Sequence, residues 1–294
     1  MTGGLSPRLD CVARLIGRAG ALADIGSDHA LLPIALLRAE RVGRAVAVEI
    51  AGGPWRAAKK SAAEAGFGER LDVRLGDGLL PLAAGEVDAV AIAGMGASAI
   101  WRMLVSPDAR ARLLPAGGTA GAPRLVLQPM GGAGILRYFA AEAGFAVEDD
   151  VRVREGEFIY ECVSLRLADP DRLLFFAERP DVERRAAYED AAPALRARWR
   201  CGERPLLAGC ALLAEQMREC AACFRRSAGA AAAARGGRGR ERAERLRADW
   251  RALAELYRDH FGDAWIGPEG SGPDGAAPAP ASVCAPARGG LPPA

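Results

Sequence analysis

From residue 12 to about 150 the chain alternates short apolar runs with helical patterns. Nearly every run ends in an acidic or glycine-bearing turn. The runs at residues 21–25, 45–49, 71–75, 87–93 and 124–128 are five to seven residues long, and all but the alternating Leu71-Asp-Val-Arg-Leu75 are largely apolar on both faces. Such runs suit strands covered from both sides, which calls for a parallel sheet with helices on each face. Helical patterns fall between them, over residues 9–17, 31–40, 54–65, 97–104 and 135–143. Pro54 opens one of these helices, at a position where proline is well tolerated. Two later runs, 146–153 and 158–167, flank the turn Arg154-Glu-Gly-Glu157 and read as a hairpin. An all-helical or all-β chain is excluded. Seven strands are expected, five separated by helices and then a terminal hairpin, in an α/β fold of the Rossmann-like, class I methyltransferase kind.

The character changes after residue 167. Pro170, Pro180 and Pro193 keep any helices in 168–204 short. Leu206, Cys210, Leu213, Met217, Cys220 and Phe224 then follow one another at heptad spacing. So do Ala243, Leu246, Trp250, Leu253, Tyr257 and His260. Two such helices, with a small-residue and arginine-rich break over 228–240, predict an antiparallel coiled-coil hairpin within one chain. A pair of helices simply packed on the main domain is the other reading. The expected division is 1–167 for the α/β domain, 168–261 for the helical region, and a disordered Gly/Pro/Ala-rich tail over 262–294. Cys220-Ala-Ala-Cys223 with Cys201 and Cys210 could supply four zinc ligands. Cys210 and Cys220 fall on the heptad seam, however, and no metal is expected. With no apolar run of 18 residues and no leader pattern at the N-terminus, a cytoplasmic protein is expected, with no membrane span.

The chemistry gathers at the strand ends. Asp24-Ile-Gly-Ser-Asp-His29 closes the first strand, Glu49-Ile50 the second and Gly76-Asp-Gly78 the third. Gly94-Met-Gly96 follows the fourth. In a parallel sheet these positions share the carboxyl edge, where open α/β sheets bind ligands. A carboxylate at Glu49 suits two ribose hydroxyls, and Asp77 an adenine amino group. No G-x-G-x-x-G follows the first strand and no Walker loop is present, which disfavours a dinucleotide or nucleoside triphosphate. Ribose, adenine and an amino-acid end without phosphate describe S-adenosylmethionine. The cofactor candidates are Asp24, Gly26, Ser27, Asp28, His29, Glu49, Ile50, Gly76, Asp77, Gly78, Gly94, Met95 and Gly96.

The same residues carry a resemblance. Leu5-Ser-Pro-Arg-Leu9, Ala23-Asp-Ile-Gly-Ser-Asp-His-Ala30, Gly53-Pro54, Ile92-Ala-Gly-Met-Gly96, Leu127-Gln-Pro129 and Tyr160-Glu161 resemble the bacterial tRNA (adenine-N1) methyltransferase family TrmK over about residues 5–166. Ser-Asp-His after the first glycine is the most specific element. The resemblance implies methyl transfer from S-adenosylmethionine to N1 of adenosine 22 of tRNA, and a helical C-terminal region. Asp28 and Gln128 are the candidate catalytic residues, Asp28 in the pocket and Gln128 toward the adenine edge. Three positions depart from the family pattern. Met130 stands where asparagine is typical, Gly52 where an acid is common and Glu157 where a lysine is common. Met130 borders the expected transfer pocket. A methyltransferase acting on another RNA or a small molecule, and a non-catalytic RNA-binding protein that keeps the fold, are the alternatives.

Charge separates the two halves. All but two of the 39 basic residues are arginine, which coding bias explains across 1–166, where acids balance them. Residues 218–258 instead carry a net charge of +6. Arg225, Arg226, Arg235, Arg238, Arg240 and Arg242 gather toward the break between the two helices, and Arg8 lies near the N-terminus. These seven are the candidate RNA contacts, the bland reading being a solvated face. Because the helices pair within one chain, a monomer is expected.

Overall fold

The structure is a computed structural model and describes residues 4–114, 121–233 and 237–262. Strands β1 (Ala19–Ile25), β2 (Val42–Glu49), β3 (Leu71–Leu75), β4 (Ala89–Met95) and β5 (Arg124–Pro129) run parallel. β6 (Phe145–Glu155) and β7 (Phe158–Leu167) form the hairpin, and β7 pairs antiparallel with β5. The order β3-β2-β1-β4-β5-β7-β6 reverses direction beside β1, where a crevice opens at the carboxyl edge.

Strand alternation decides which helices cover which face. Leu22, Ala45, Ala47, Ala89 and Ala91 pack under α1 (Pro7–Ile16), α2 (Leu31–Arg38) and α3 (Gly52–Glu64). Ala23, Ile25, Val46, Val48, Val90 and Ile92 point the other way. There they meet α4 (Ala97–Val105), α5 (Pro107–Leu113), α6 (Ala133–Glu142) and α7 (Pro170–Glu178). The small side chains of one face and the larger ones of the other let both helical layers seat on a single sheet. Helix α5 is absent from the expected elements. Its start is nonetheless written in Ser106-Pro107, where the Ser106 hydroxyl accepts from the Ala109 amide at 3.3 Å.

The prolines divide the next stretch as expected. α7 and α9 (Pro193–Cys201) begin on proline, and Pro180 precedes α8 (Asp181–Asp190). After α10 (Glu203–Leu207) come α11 (Ala211–Ala233) and α12 (Gly237–Phe261). α11 continues to Ala233 where a break from residue 228 is expected, because an alanine tract is the best of helix formers. Leu213 and Met217 of α11 share a core with Leu253, Leu256 and Tyr257 of α12 and with Cys201 and Leu206. Cys210 and Cys220 belong to that packing too. Among the described residues no cluster of His, Cys, Asp and Glu could hold a metal, and no helix is long and apolar enough to cross a membrane. Arg235 and the tail from residue 263, expected to be disordered, lie outside the described residues.

A buried ionic cluster joins the helices to the sheet. Arg137 of α6 donates to both oxygens of Asp150 at 2.7 and 2.8 Å and to Glu161, and also to the carbonyls of Trp199 and Arg200 at the end of α9. Arg152 donates to Asp150 at 2.6 Å, to the Cys201 carbonyl, and to Gln216 of α11 at 3.2 Å. Burial alone would raise the Asp150 carboxyl, but the two guanidinium groups hold it below its ordinary range.

Candidate active site

Strand β1 delivers Asp24 to the carboxyl edge and the chain turns at Gly26, whose φ is +70°. That φ favours glycine, and a side chain here would also push the terminal methyl of Met95 aside. The Ser27 hydroxyl donates to Asp24 at 2.5 Å. Asp28 and Ala30 both adopt left-handed backbone, each with φ 55°. Such strain in non-glycine residues collects at functional turns. Its result here is definite: the Asp28 amide donates to one carboxylate oxygen of Glu49, at the end of β2. The Asp28 and His29 side chains stand exposed, 3.8 Å apart.

A cavity of about 580 Å3 opens beside this turn. Gly26, Glu49, Ile50, Gly76, Asp77, Gly78 and Met95 line it, which unites the ends of strands β1 to β4. Glu49 is buried in its wall and Asp77 is exposed at its rim. The structure does not bring all the candidates onto this surface. Asp24 and Ser27 lie buried beneath the turn, and Asp28, His29, Gly94 and Gly96 are not among the lining residues. Arg102, Met103, Ser106 and Asp108 line it in addition. Arg102 and Met103 lie in the helix expected over 97–104, where no chemistry marks them, and Ser106 and Asp108 belong to the start of α5, which is not among the expected elements. Ser106-Pro107-Asp108 was the available signal. A buried carboxylate with one oxygen held by an amide, beside a nucleoside-sized cavity, fits a ribose diol.

Burial pushes the Asp24 carboxyl up to about 7, with the Ser27 bond opposing and the Glu49 charge adding to the shift. Burial also raises Glu49. The sign for Asp24 is that of a folded value raised above the unfolded one. Its contribution is complete below pH 4 and declines as pH rises toward 7, by at most about 1.4 kcal/mol per pH unit. Asp24→Asn is expected to flatten the fall in Tm between pH 4.5 and 7 in thermal melts. An unchanged slope would remove Asp24 as its source.

A second cluster stands at the ends of β4 and β5. Ser6 caps α1 and Pro7 opens it, which fixes Arg8 in the first turn. The Arg8 guanidinium donates to the Gln128 side-chain oxygen at 2.6 Å, and the Gly94 amide donates to the same oxygen at 3.1 Å. The Gln128 amide nitrogen donates to the Pro129 carbonyl at 2.9 Å. The fully buried Gln128 thus ties the Gly94-Met-Gly96 loop to α1, and its amide nitrogen also stands 3.9 Å from the Met130 sulfur. Met130 is half exposed, and its amide donates to the Met95 carbonyl at 2.8 Å.

Comparisons with known proteins bear on the family and the fold. A family model described as a methyltransferase domain matches residues 5–163. The tRNA (adenine(22)-N(1))-methyltransferase of Bacillus subtilis (strain 168) is 37% identical over 169 residues, covering 57% of this chain and 67% of that protein. The chain belongs to the TrmK methyltransferase family. The crystal structure of the B. subtilis m1A22 tRNA methyltransferase TrmK superposes with a TM-score of 0.70 at 28% identity, over 86% of this chain and 98% of that one. The fold is shared with TrmK of M. capricolum, solved with S-adenosyl-homocysteine, at TM-score 0.66 and 17% identity over 87% and 99% of the two chains. In this TrmK-family chain Arg225, Arg226, Arg238, Arg240 and Arg242 are exposed on α11 and α12, far along the chain from the cavity residues. Arg8 instead sits against Gln128 and Glu155, its side chain 21% exposed.

Proposed function

We propose that this chain transfers a methyl group from S-adenosylmethionine to N1 of adenosine 22 in tRNA. The observation that carries the reading is the 37% identity with the B. subtilis enzyme, joined to a cavity walled by the strand-end residues of β1 to β4. Glu49 would accept from the two ribose hydroxyls, Asp77 and Gly78 would border the adenine, and the open backbone at Gly26 would admit the amino-acid end. The bound cofactor supplies an electrophilic methyl group on a sulfonium sulfur. Adenine N1 carries its own lone pair at neutral pH, so the protein's work is alignment and exclusion of water rather than removal of a proton. Gln128 serves that alignment by fixing the Gly94 loop against α1. As N1 gains its third substituent the base becomes cationic, and the exposed carboxylate of Asp28, in the turn beside the cavity, offsets that charge.

The basic α11–α12 region, within a helical module over 168–261, is proposed to hold the tRNA body away from the site. The working protein is proposed to be a cytoplasmic monomer. Unmodified tRNA transcripts incubated with the chain and S-adenosylmethionine should gain N1-methyladenosine by nucleoside mass spectrometry and a reverse-transcription stop at position 22. Methylation elsewhere, or no cofactor binding by calorimetry, would reject the reading. Arg238→Ala, Arg240→Ala and Arg242→Ala combined should lower the salt slope of tRNA binding by about 2 to 3 and leave cofactor affinity unchanged. An unchanged slope would return those arginines to the solvated surface.

A further inference from the structure

We propose that Phe158, at the tip of the β6–β7 hairpin, is a stacking platform for an unpaired nucleobase of the RNA substrate beside the target adenosine. The inference rests on the tRNA reading above and extends it to one more contact.

Phe158 opens β7 at the carboxyl edge of the sheet, the edge that carries the candidate active site. Its ring is 66% exposed. A single exposed apolar residue is ordinary; its support is not. The Tyr160 ring lies 6.2 Å from that of Phe158 at an interplanar angle of 51°. The Arg8 guanidinium lies 5.6 Å from the Tyr160 centroid, and Arg8 holds Gln128. Glu155 accepts from the Arg8 amide at 2.8 Å and so clamps the hairpin to the start of α1. A continuous series therefore runs from Phe158 through Tyr160, Arg8 and Gln128 to the amide of Gly94. In β5 and β7, Leu127 faces Val163, and carrying that antiparallel register three residues on brings Met130 level with Tyr160. An exposed aromatic ring, braced at this edge and facing no core, has the chemistry of a base-stacking surface.

The surroundings favour a base over the backbone as occupant. Glu157 beside Phe158 is exposed, and an acid there repels phosphate. Arg8 already serves Gln128 and Glu155, and Arg154, opposite Ile159 in the hairpin, pairs with Glu215. What remains is a π face, which every nucleobase can use whatever its identity. A target adenine drawn out of a folded tRNA leaves its neighbours unstacked, and a ring at the rim offsets part of that loss.

The test compares Phe158→Ala, Phe158→Leu and Phe158→Tyr in the full chain. Transcripts of the tRNA carry 2-aminopurine in turn at each position flanking 22. Alanine and leucine should lower tRNA affinity and kcat/KM by about 10-fold or more, whereas tyrosine should stay within about 3-fold of wild type. The loss should fall on KM, with the salt slope, the cofactor affinity and Tm unchanged, because no phosphate contact or core packing is removed. Wild type should quench 2-aminopurine at one flanking position, and Phe158→Ala should not. The proposal is overturned if alanine and leucine both match wild type in affinity and quenching. It is overturned equally if wild type self-associates in sedimentation and Phe158→Ala abolishes this, since the ring would then face a second copy. Affinity and quenching need no turnover, so a chain that binds tRNA but methylates it away from position 22 sinks the functional reading without deciding this one.

Discussion

Replacing Arg137 with methionine should destabilise the chain by about 3–5 kcal/mol, the usual result of stripping one partner from a buried ion pair. Arg137 and Asp150 are each 2% exposed in their side chains, and Arg152 is fully buried. The cluster balances two guanidinium groups against Asp150 and Glu161. Without Arg137 one negative charge is uncompensated where water cannot reach it. The carbonyls of Trp199 and Arg200 also lose a donor. Arg137→Met with Asp150→Leu should recover part of the loss, because the unpaired charge leaves with its partner. Urea unfolding of the two variants measures both effects. A single variant within about 1 kcal/mol of wild type would show that the cluster is exchanged for water at little cost.

The same cluster bears on function. Arg137 of α6 reaches α9, and Arg152 of β6 reaches α9 and α11, so the pair sets the angle at which the helical region leaves the α/β domain. If α11 and α12 carry the tRNA, loosening that joint should raise KM for tRNA while the cofactor affinity holds. Arg137→Lys keeps the charge but not the bidentate fork, and should recover stability better than it recovers KM.

None of this was visible along the chain. Arg137, Asp150 and Glu161 are ordinary charged residues in an arginine-rich sequence, and it takes both the antiparallel return of β7 beside β6 and the packing of α6 on that hairpin to bring them together. The strand-end set is the opposite case. Asp24, Glu49, Asp77 and the Gly94 loop could be placed because a parallel sheet sends every such turn to one edge, so period and order suffice. What period and order do not carry is side-chain partnering. Gln128 ends β5, and its side chain bonds Arg8, Gly94 and Pro129. That partner set joins positions 8, 94 and 128, and no spacing rule links them. Asp24 and Glu49 looked alike as strand-end acids, but one strained turn makes Asp24 a buried support and Glu49 a cavity wall.

The difference between those two acids gives the last expected result. Glu49→Ala should weaken S-adenosylmethionine binding by about 100-fold or more and leave the fold intact. Hydrogen bonds to a charged acceptor contribute about 1.5–3 kcal/mol each, and a ribose offers two hydroxyls to one carboxylate. Glu49→Gln keeps the shape and one acceptor, so it should fall between. Stability should not suffer in proportion. Glu49 is held up by burial, and its charge adds to the rise in Asp24, so removing it relieves a buried carboxyl at neutral pH. The cost is confined to the Asp28 amide, which loses its acceptor in a turn already strained at residues 28 and 30. Calorimetric titration with S-adenosylmethionine, beside thermal melts at pH 7.5, separates the two quantities. Cofactor affinity within about 3-fold of wild type would move the ribose away from Glu49, because even one charged hydrogen bond exceeds that margin. A collapse in Tm would instead make Glu49 a structural anchor of the Asp28 turn, with its effect on the cofactor secondary to that role.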